Sequence, residues 1–159
     1  MTADSTKDIQ YLKAIGRVCA ETLRKMMGQA RAGMTTRELD EIGRAFLEAE
    51  GARSAPQVTY NFPGTTCISI SPVIAHGIPD GHVLQEGELI HIDVSAELDG
   101  YYADTGASLV VSKRERNLEK LLDATKSTLA KALRAARAGS PLNGIGRTVQ
   151  TVESFCALA

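Results

Sequence analysis

Asp93 and Asp104 sit in two β-type runs, Glu88–Leu98 and Tyr101–Gly106, on either side of Asp99-Gly100. Asp-Gly between such runs is the signature of a two-residue type I′ hairpin. That loop pairs Leu98 with Tyr101, which sets Asp93 opposite Gly106 and Asp104 opposite Ser95. Side chains alternate along a strand, so Ile90, Ile92, Val94, Ala96 and Leu98 share one face. Asp93, Ser95, Tyr102 and Asp104 share the other. The two carboxylates become diagonal neighbours, roughly 7–8 Å apart at the backbone and able to lean together. This suits two cations about 3.5–4 Å apart, with one carboxylate bridging them. Hard oxygen ligands favour Mn, Mg or Fe(II) over a thiolate-type zinc site. The alternative is a polar face turned to water, with both aspartates solvated. A register slip of one residue would separate them. Asp is disfavoured in strands, so two on one face call for a reason.

His76 lies in Ala75-His76-Gly77-Ile78-Pro79-Asp80. Gly and Pro make this a turn, which leaves the imidazole near a surface or cleft. There it can ligate a metal, accept a proton or hydrogen-bond a substrate; the simpler alternative is an exposed histidine. His82 and His91 have no comparable context. Cys67, in an apolar β-run, reads first as a small core residue.

The elements that must position these groups follow from periodicity. Ile9, Leu12, Ile15, Cys19, Leu23, Met26 and Met27 recur at helical spacing and stop before Gly33. Thr35-Thr36-Arg37-Glu38 reads as a capping box for a second helix carrying Leu39, Ile42, Phe46 and Ala49. Helices are expected over about 7–31, 36–50 and 113–138, with about 52–111 β-rich and punctuated by Pro56, Pro63, Pro72 and Pro79. Ile145, Val149 and Val152 suggest one more helix. Ala30-Arg31-Ala32-Gly33 recurs as Ala136-Arg137-Ala138-Gly139, and Ile42-Gly43-Arg44 recurs as Ile145-Gly146-Arg147. Helix-end chemistry explains such an echo, or an old duplication of a helix–helix–sheet unit whose second copy stops before its sheet.

The 159 residues suit one domain of ordinary size, and 43% hydrophobic with 23% charged residues is a core-forming balance. Eighteen Lys and Arg against nineteen Asp and Glu give a net charge of −1, with no basic footprint for nucleic acid or a membrane surface. No apolar run approaches the roughly 20 residues of a bilayer span. The N-terminus has neither a basic leader nor an apolar stretch, so no signal peptide is expected. Cys19, Cys67 and Cys156 are odd in number and far apart, which argues against a disulfide framework and for a reducing, cytoplasmic setting.

Taken together, Tyr60-Asn61-Phe62-Pro63, Cys67-Ile68-Ser69-Ile70, His76-Gly77-Ile78-Pro79-Asp80, Ile92-Asp93-Val94 and Gly100-Tyr101-Tyr102-Ala103-Asp104-Thr105 resemble the type I methionine aminopeptidase family in order and spacing. The likeness runs from about Asp8 to Val152, and its several motifs in register make it specific. It implies an α/β (α+β) pita-bread fold with helices flanking an antiparallel sheet. The two halves of that fold are related by pseudo-symmetry. It implies a metal-dependent hydrolase that removes initiator methionine from nascent proteins, using water activated by two divalent ions (Co, Mn, Fe(II) or Zn). Asp93 and Asp104 match metal-binding aspartates, Asp104 the bridging one. His76 matches a histidine that bonds substrate and assists turnover. Phe62 and Cys67 match positions lining the methionine pocket. The implied partners are nascent polypeptide N-termini, ribosome-proximal, with no nucleic acid or membrane and a monomeric enzyme.

Two departures bear on the pocket: Thr59 stands where the family often has a tyrosine, and Ser71-Pro72 replaces a common Asn-acidic pair. The family also takes a further metal histidine, two metal glutamates and another substrate histidine from a second half. This chain has no match for them, so the resemblance implies one incomplete domain over 1–159, truncated at its C-terminal side, whose activity alone is in question. A non-catalytic pita-bread binding module is one alternative, against which the retained Asp93, Asp104 and His76 argue. A proline-directed peptidase of the same fold is another, against which the Tyr-Asn-Phe-Pro and Cys-Ile-Ser-Ile motifs argue.

Overall fold

A computed structural model describes residues 3–112 and 115–156, with side chains through Thr151. Two compact units divide the chain, Met1–Lys113 and Arg114–Ala159. No helix among the described residues is long and apolar enough to cross a membrane.

The first unit begins with helix α1 (Thr6–Gln29). Ser5 caps it: its Oγ accepts the Asp8 N–H at 3.2 Å, and the Asp8 carboxylate accepts the Ser5 N–H at 2.7 Å. Asp8 also accepts the Tyr101 hydroxyl at 2.6 Å, which ties the helix start to the sheet. Helix α2 (Thr36–Ala49) opens with the expected reciprocal Thr35–Glu38 box. Gly33, at φ +86°, turns the chain between the two helices in a conformation that favours glycine.

Strand β1 (Arg53–Ser54) leads directly into α3 (Ala55–Tyr60), and β2 (Cys67–Ile70) follows. Strands β3 (Leu89–Leu98) and β4 (Tyr101–Val110) form the hairpin. Asp99 and Gly100 both have positive φ, 52° and 84°, as a type I′ turn requires. The register runs from Leu98↔Tyr101 to Leu89↔Val110 without a slip, so Asp93 faces Gly106 and Ser95 faces Asp104 as the sequence indicates. β4 takes one edge of β3 along its whole length. β1, opposite Ala96 and Glu97, and β2, opposite Ile90 to Asp93, share the other edge, all antiparallel.

Ile90, Ile92, Val94 and Ala96 on the apolar face of β3 have no solvent exposure. They form one core with Ile15, Val18, Cys19, Leu23 and Met26 of α1. Each buried aliphatic side chain of this size contributes about 1.5–3 kcal/mol. That burial fixes which face of the hairpin looks outward. The turn is held as well: the buried Glu97 carboxylate accepts the Gly100 N–H at 2.6 Å and the Arg53 Nε–H at 2.8 Å. These bonds hold Glu97 below the usual carboxylate range, the Gly100 amide contributing most.

The second unit is a helix pair, α4 (Arg116–Ala135) and α5 (Asn143–Cys156). The start expected at Lys113 lies outside the described residues, and the side chain of Val152 is likewise not described. Gly139, at φ +80°, plays the part of Gly33. The Ile-Gly-Arg echo does not hold up in three dimensions. Ile42 lies in the middle of α2 whereas Ile145 lies in the first turn of α5, so the two triplets are not equivalent positions.

Candidate active site

The polar face of the hairpin floors a cavity of about 590 Å³, and Phe62, Cys67, His76, Asp93 and Asp104 all line it. Five residues singled out from five separate segments therefore meet in one place. Ser95 and Tyr102 complete the floor, and Ala55, Pro56, Thr59 and Tyr60 form a wall.

That wall is α3, which lies inside the stretch that sequence patterning marks only as β-rich. The Ser54 side chain caps it by accepting the Gln57 N–H at 3.4 Å, Pro56 occupies its first turn, and Asn61 at φ 54° ends it. Six residues are too few to show a 3.6-residue period. The signal available was the cap-then-proline pair Ser54…Pro56.

Cys67 pairs directly with Asp93 across β2 and β3. Burial first, then the nearby Asp93 and Asp104 charges, push its thiol up to about 11, so it stays a neutral wall. Phe62 follows Asn61 on the loop between α3 and β2.

His76 is exposed and takes φ 58° on a loop tied to β2. The Gly77 N–H bonds Ser69 Oγ at 3.0 Å, and the Gly77 carbonyl accepts the Ile68 N–H at 2.9 Å. A Cβ at position 77 would sit 2.2 Å from the Ile68 carbonyl oxygen. Gly77→Ala must therefore push the loop off the sheet. The expected result is a loss of about 2–3 kcal/mol of stability from backbone strain. Where His76 takes part in turnover, a displacement of that size also costs about a hundredfold in rate. Thermal melts and kinetics of the same variant read both; a neutral Tm contradicts the close approach.

The Asp93 and Asp104 carboxyl groups lie side by side at the cavity. Burial first, then the neighbouring Asp104 carboxyl, push the Asp93 carboxyl up to about 6, and His76 opposes this. The Asp104 charge disfavours an ionised Asp93 unless a cation offsets it. The pair offers up to four oxygens, which is the donor chemistry of a hard divalent ion. Among the described residues no group of three or more His, Cys, Asp or Glu side chains converges on a metal position. The pair is thus a suitable but partial ligand set.

His91 carries nothing in the sequence to mark it, yet it lies two residues along β3 from Asp93, on the same face. Its Nδ1 lies 2.9 Å from Ser108 Oγ. Its Nε2 lies 2.8 Å from where a Cβ of Gly106 would be, so the ring fills the space that glycine leaves opposite Asp93. Burial pushes this imidazole down and favours its neutral form.

The raised Asp93 carboxyl gives a pH signature. Folding favours its protonated form, so stability from this group is complete below the ordinary value near 3.8 and is lost as pH rises through about 6. A divalent cation favours the ionised pair and competes with the proton. The stabilisation produced by Mn(II) is therefore expected to grow from pH 5 to 7.5, while this group's contribution in the metal-free chain declines over that interval. Thermal melts with and without Mn(II) check this, and a metal effect independent of pH contradicts it.

The sequence profile of metallopeptidase family M24 matches residues 10–154. Methionine aminopeptidase 2 of Bacillus subtilis is 43% identical over 150 residues, which cover 94% of this chain and 60% of that protein. The methionine aminopeptidase of Staphylococcus epidermidis gives the same identity and coverage. The crystal structure of methionine aminopeptidase from Rickettsia prowazekii superposes with a TM-score of 0.92 at 30% identity, over 98% of this chain and 63% of that one. The chain therefore spans about 60% of the length of the curated relatives it matches. Its helices and antiparallel sheet are those of the pita-bread fold. With an M24 profile over nearly its whole length and relatives of this similarity, the chain belongs to metallopeptidase family M24.

Proposed function

We propose that this chain carries the Asp93–Asp104 side of a methionine aminopeptidase site that removes initiator methionine from nascent proteins. The observation that carries the reading is the convergence of Phe62, Cys67, His76, Asp93 and Asp104 on one cavity. The names of its relatives supply the reaction class. Asp93 and Asp104 would hold divalent ions, of the Co, Mn, Fe(II) or Zn type, through their carboxylate oxygens. Such ions, when bound, supply Lewis acidity and lower the pKa of water to near neutrality. His76, exposed at the cavity and on the acidic side, hydrogen-bonds the peptide and moves a proton to the departing amine. Phe62 and the neutral Cys67 wall the methionine side chain, and the short Thr59 leaves room where a tyrosine would intrude. Residues 1–159 act as part of one aminopeptidase-like domain, in a cytoplasmic and monomeric enzyme working on nascent, ribosome-proximal N-termini.

The test is hydrolysis of Met-Ala-Ser against Ala-Pro-type peptides with Mn(II) or Co(II). The enzyme is this chain continued through the part of the B. subtilis relative that it does not match. Methionine release, reduced about 10²–10⁴-fold in His76→Ala, supports the reading. Preferential cleavage before proline, or no cleavage by a folded protein, contradicts it.

A further inference from the structure

Thr36 and Asp40 stand at i and i+4 on α2, so they share a face about 6 Å apart along the helix axis. Both are buried, at 2% and 7% exposure. Asp40 has no ion-pair partner among the described residues. Each holds a different side of the cavity.

The Thr36 end takes the His76 loop. Thr36 Oγ1 accepts the Asp80 N–H at 2.8 Å and lies 3.2 Å from both the carbonyl oxygen and Oδ1 of Asp80, to either of which it can donate. The Thr36 and Arg37 N–H groups, which have no partner within the helix, donate to the His82 and Asp80 carbonyls at 3.0 Å each. Asp80 Oδ1 in turn accepts the His82 N–H at 2.8 Å. The His76 side chain makes no hydrogen bond among the described residues. Its position is set by the backbone on its C-terminal side, by Gly77 on β2 and by Asp80 on α2.

The Asp40 end takes the opposite wall. Its carboxylate accepts the Thr65 and Thr66 N–H groups and the Thr66 hydroxyl, immediately before Cys67. The Thr65 carbonyl accepts the Ser54 hydroxyl at 2.7 Å, and Ser54 caps α3. One carboxylate thus fixes the entry to β2 and, through Thr65, the helix that precedes Phe62. The two loops also meet directly: Pro79 Cδ lies 2.6 Å from where a Cβ of Gly64 would be. Apolar packing would fasten α2 with more stability than a carboxylate that had to leave water. Directional hydrogen bonds do what packing does not, which is to fix spacing.

We propose that Thr36 and Asp40 are positioning residues of the site, one turn of α2 setting the separation between His76 and the Phe62–Cys67 wall. Their effect on turnover rests on the peptidase roles of His76, Phe62 and Cys67, whereas their effect on position does not, and the two are measured apart.

Hydrogen exchange of the full 159-residue chain reads position alone. Thr36→Val removes the hydroxyl at nearly constant shape. It should speed exchange of the Gly77, Asp80 and His82 amides at least about tenfold and leave Thr65, Thr66 and the β3 amides unchanged. Asp40→Asn should do the reverse, freeing Thr65 and Thr66. Thr36→Ser keeps the hydroxyl and should restore the parent pattern. Kinetics are read on the chain continued through the unmatched part of the B. subtilis relative. There Thr36→Val should lower kcat about tenfold with KM within about twofold, and should cost less than about twofold in a His76→Ala background. Asp40→Asn should raise KM for Met-Ala-Ser about tenfold with a smaller loss of kcat. Where Asp40→Asn does not fold, Thr66→Val removes only its hydroxyl donor and is held to the same pattern. Overturning results are exchange that rises equally in both loops and in β3, no change in either loop, parent kinetics in a variant with a freed loop, or a Thr36→Val penalty undiminished by His76→Ala. A His76→Ala chain with intact kcat would instead remove the role of His76, and the exchange pattern would still decide what Thr36 and Asp40 hold.

Discussion

Asp104→Asn is expected to cut methionine release at least about a thousandfold, and Asp93→Asn by a similar factor, in the chain joined to the unmatched part of its relative. Asparagine keeps the shape of the side chain and removes the anionic oxygen that a divalent ion needs. Positioning and Lewis acidity then fail together, so kcat and kcat/KM should fall alike. Stability should move the other way. Both side chains lie opposite the apolar face that builds the core, and in the metal-free chain burial and the Asp104 charge disfavour an ionised Asp93. Removing one charge relieves that conflict, so metal-free Tm should hold or rise. Loss of activity with a stable or stabilised fold marks residues placed for function rather than packing. If the aspartates were merely solvated, each substitution would change rate by a few-fold at most.

The second large effect concerns ligand number. This chain alone is expected to release methionine from Met-Ala-Ser at least about a thousandfold more slowly than the joined chain, with Mn(II) or Co(II) in excess. Two carboxylates offer at most four oxygens, whereas two divalent ions of this type take about six ligands each, part of them water. Among the described residues no third protein ligand converges on the pair. Ions held this loosely leave the attacking water poorly fixed, and misplacement near 1 Å already costs about a hundredfold. Turnover by the short chain equal to that of the joined chain would mean that other residues complete the site.

The hairpin was readable because one dipeptide determines it. Asp99-Gly100 accepts positive φ at both positions, which fixes the loop length, hence the pairing, hence the face that carries Asp93 and Asp104. The Thr35–Glu38 box was readable for the same reason, since its chemistry is local. What escaped depends on distant partners. Asp40 looks like an ordinary acid on a helix surface, yet it is only 7% exposed. It accepts the Thr65 and Thr66 N–H groups and the Thr66 hydroxyl, at 2.9, 2.8 and 2.6 Å. It thereby pins α2 to the entry of β2. The His91 ring sits where it does because Gly106, on the facing strand, has no side chain. The Ile-Gly-Arg triplets misled in the opposite sense: their identity is literal, but they occupy different turns of their helices.

The most direct test is a crystal of this chain grown or soaked with Mn(II) at pH 7.5 and measured at a wavelength where manganese scatters anomalously. The account predicts an anomalous peak within coordination distance of both the Asp93 and Asp104 carboxylates, and its absence in Asp104→Asn. No peak in the cavity, or manganese bound elsewhere, would contradict it.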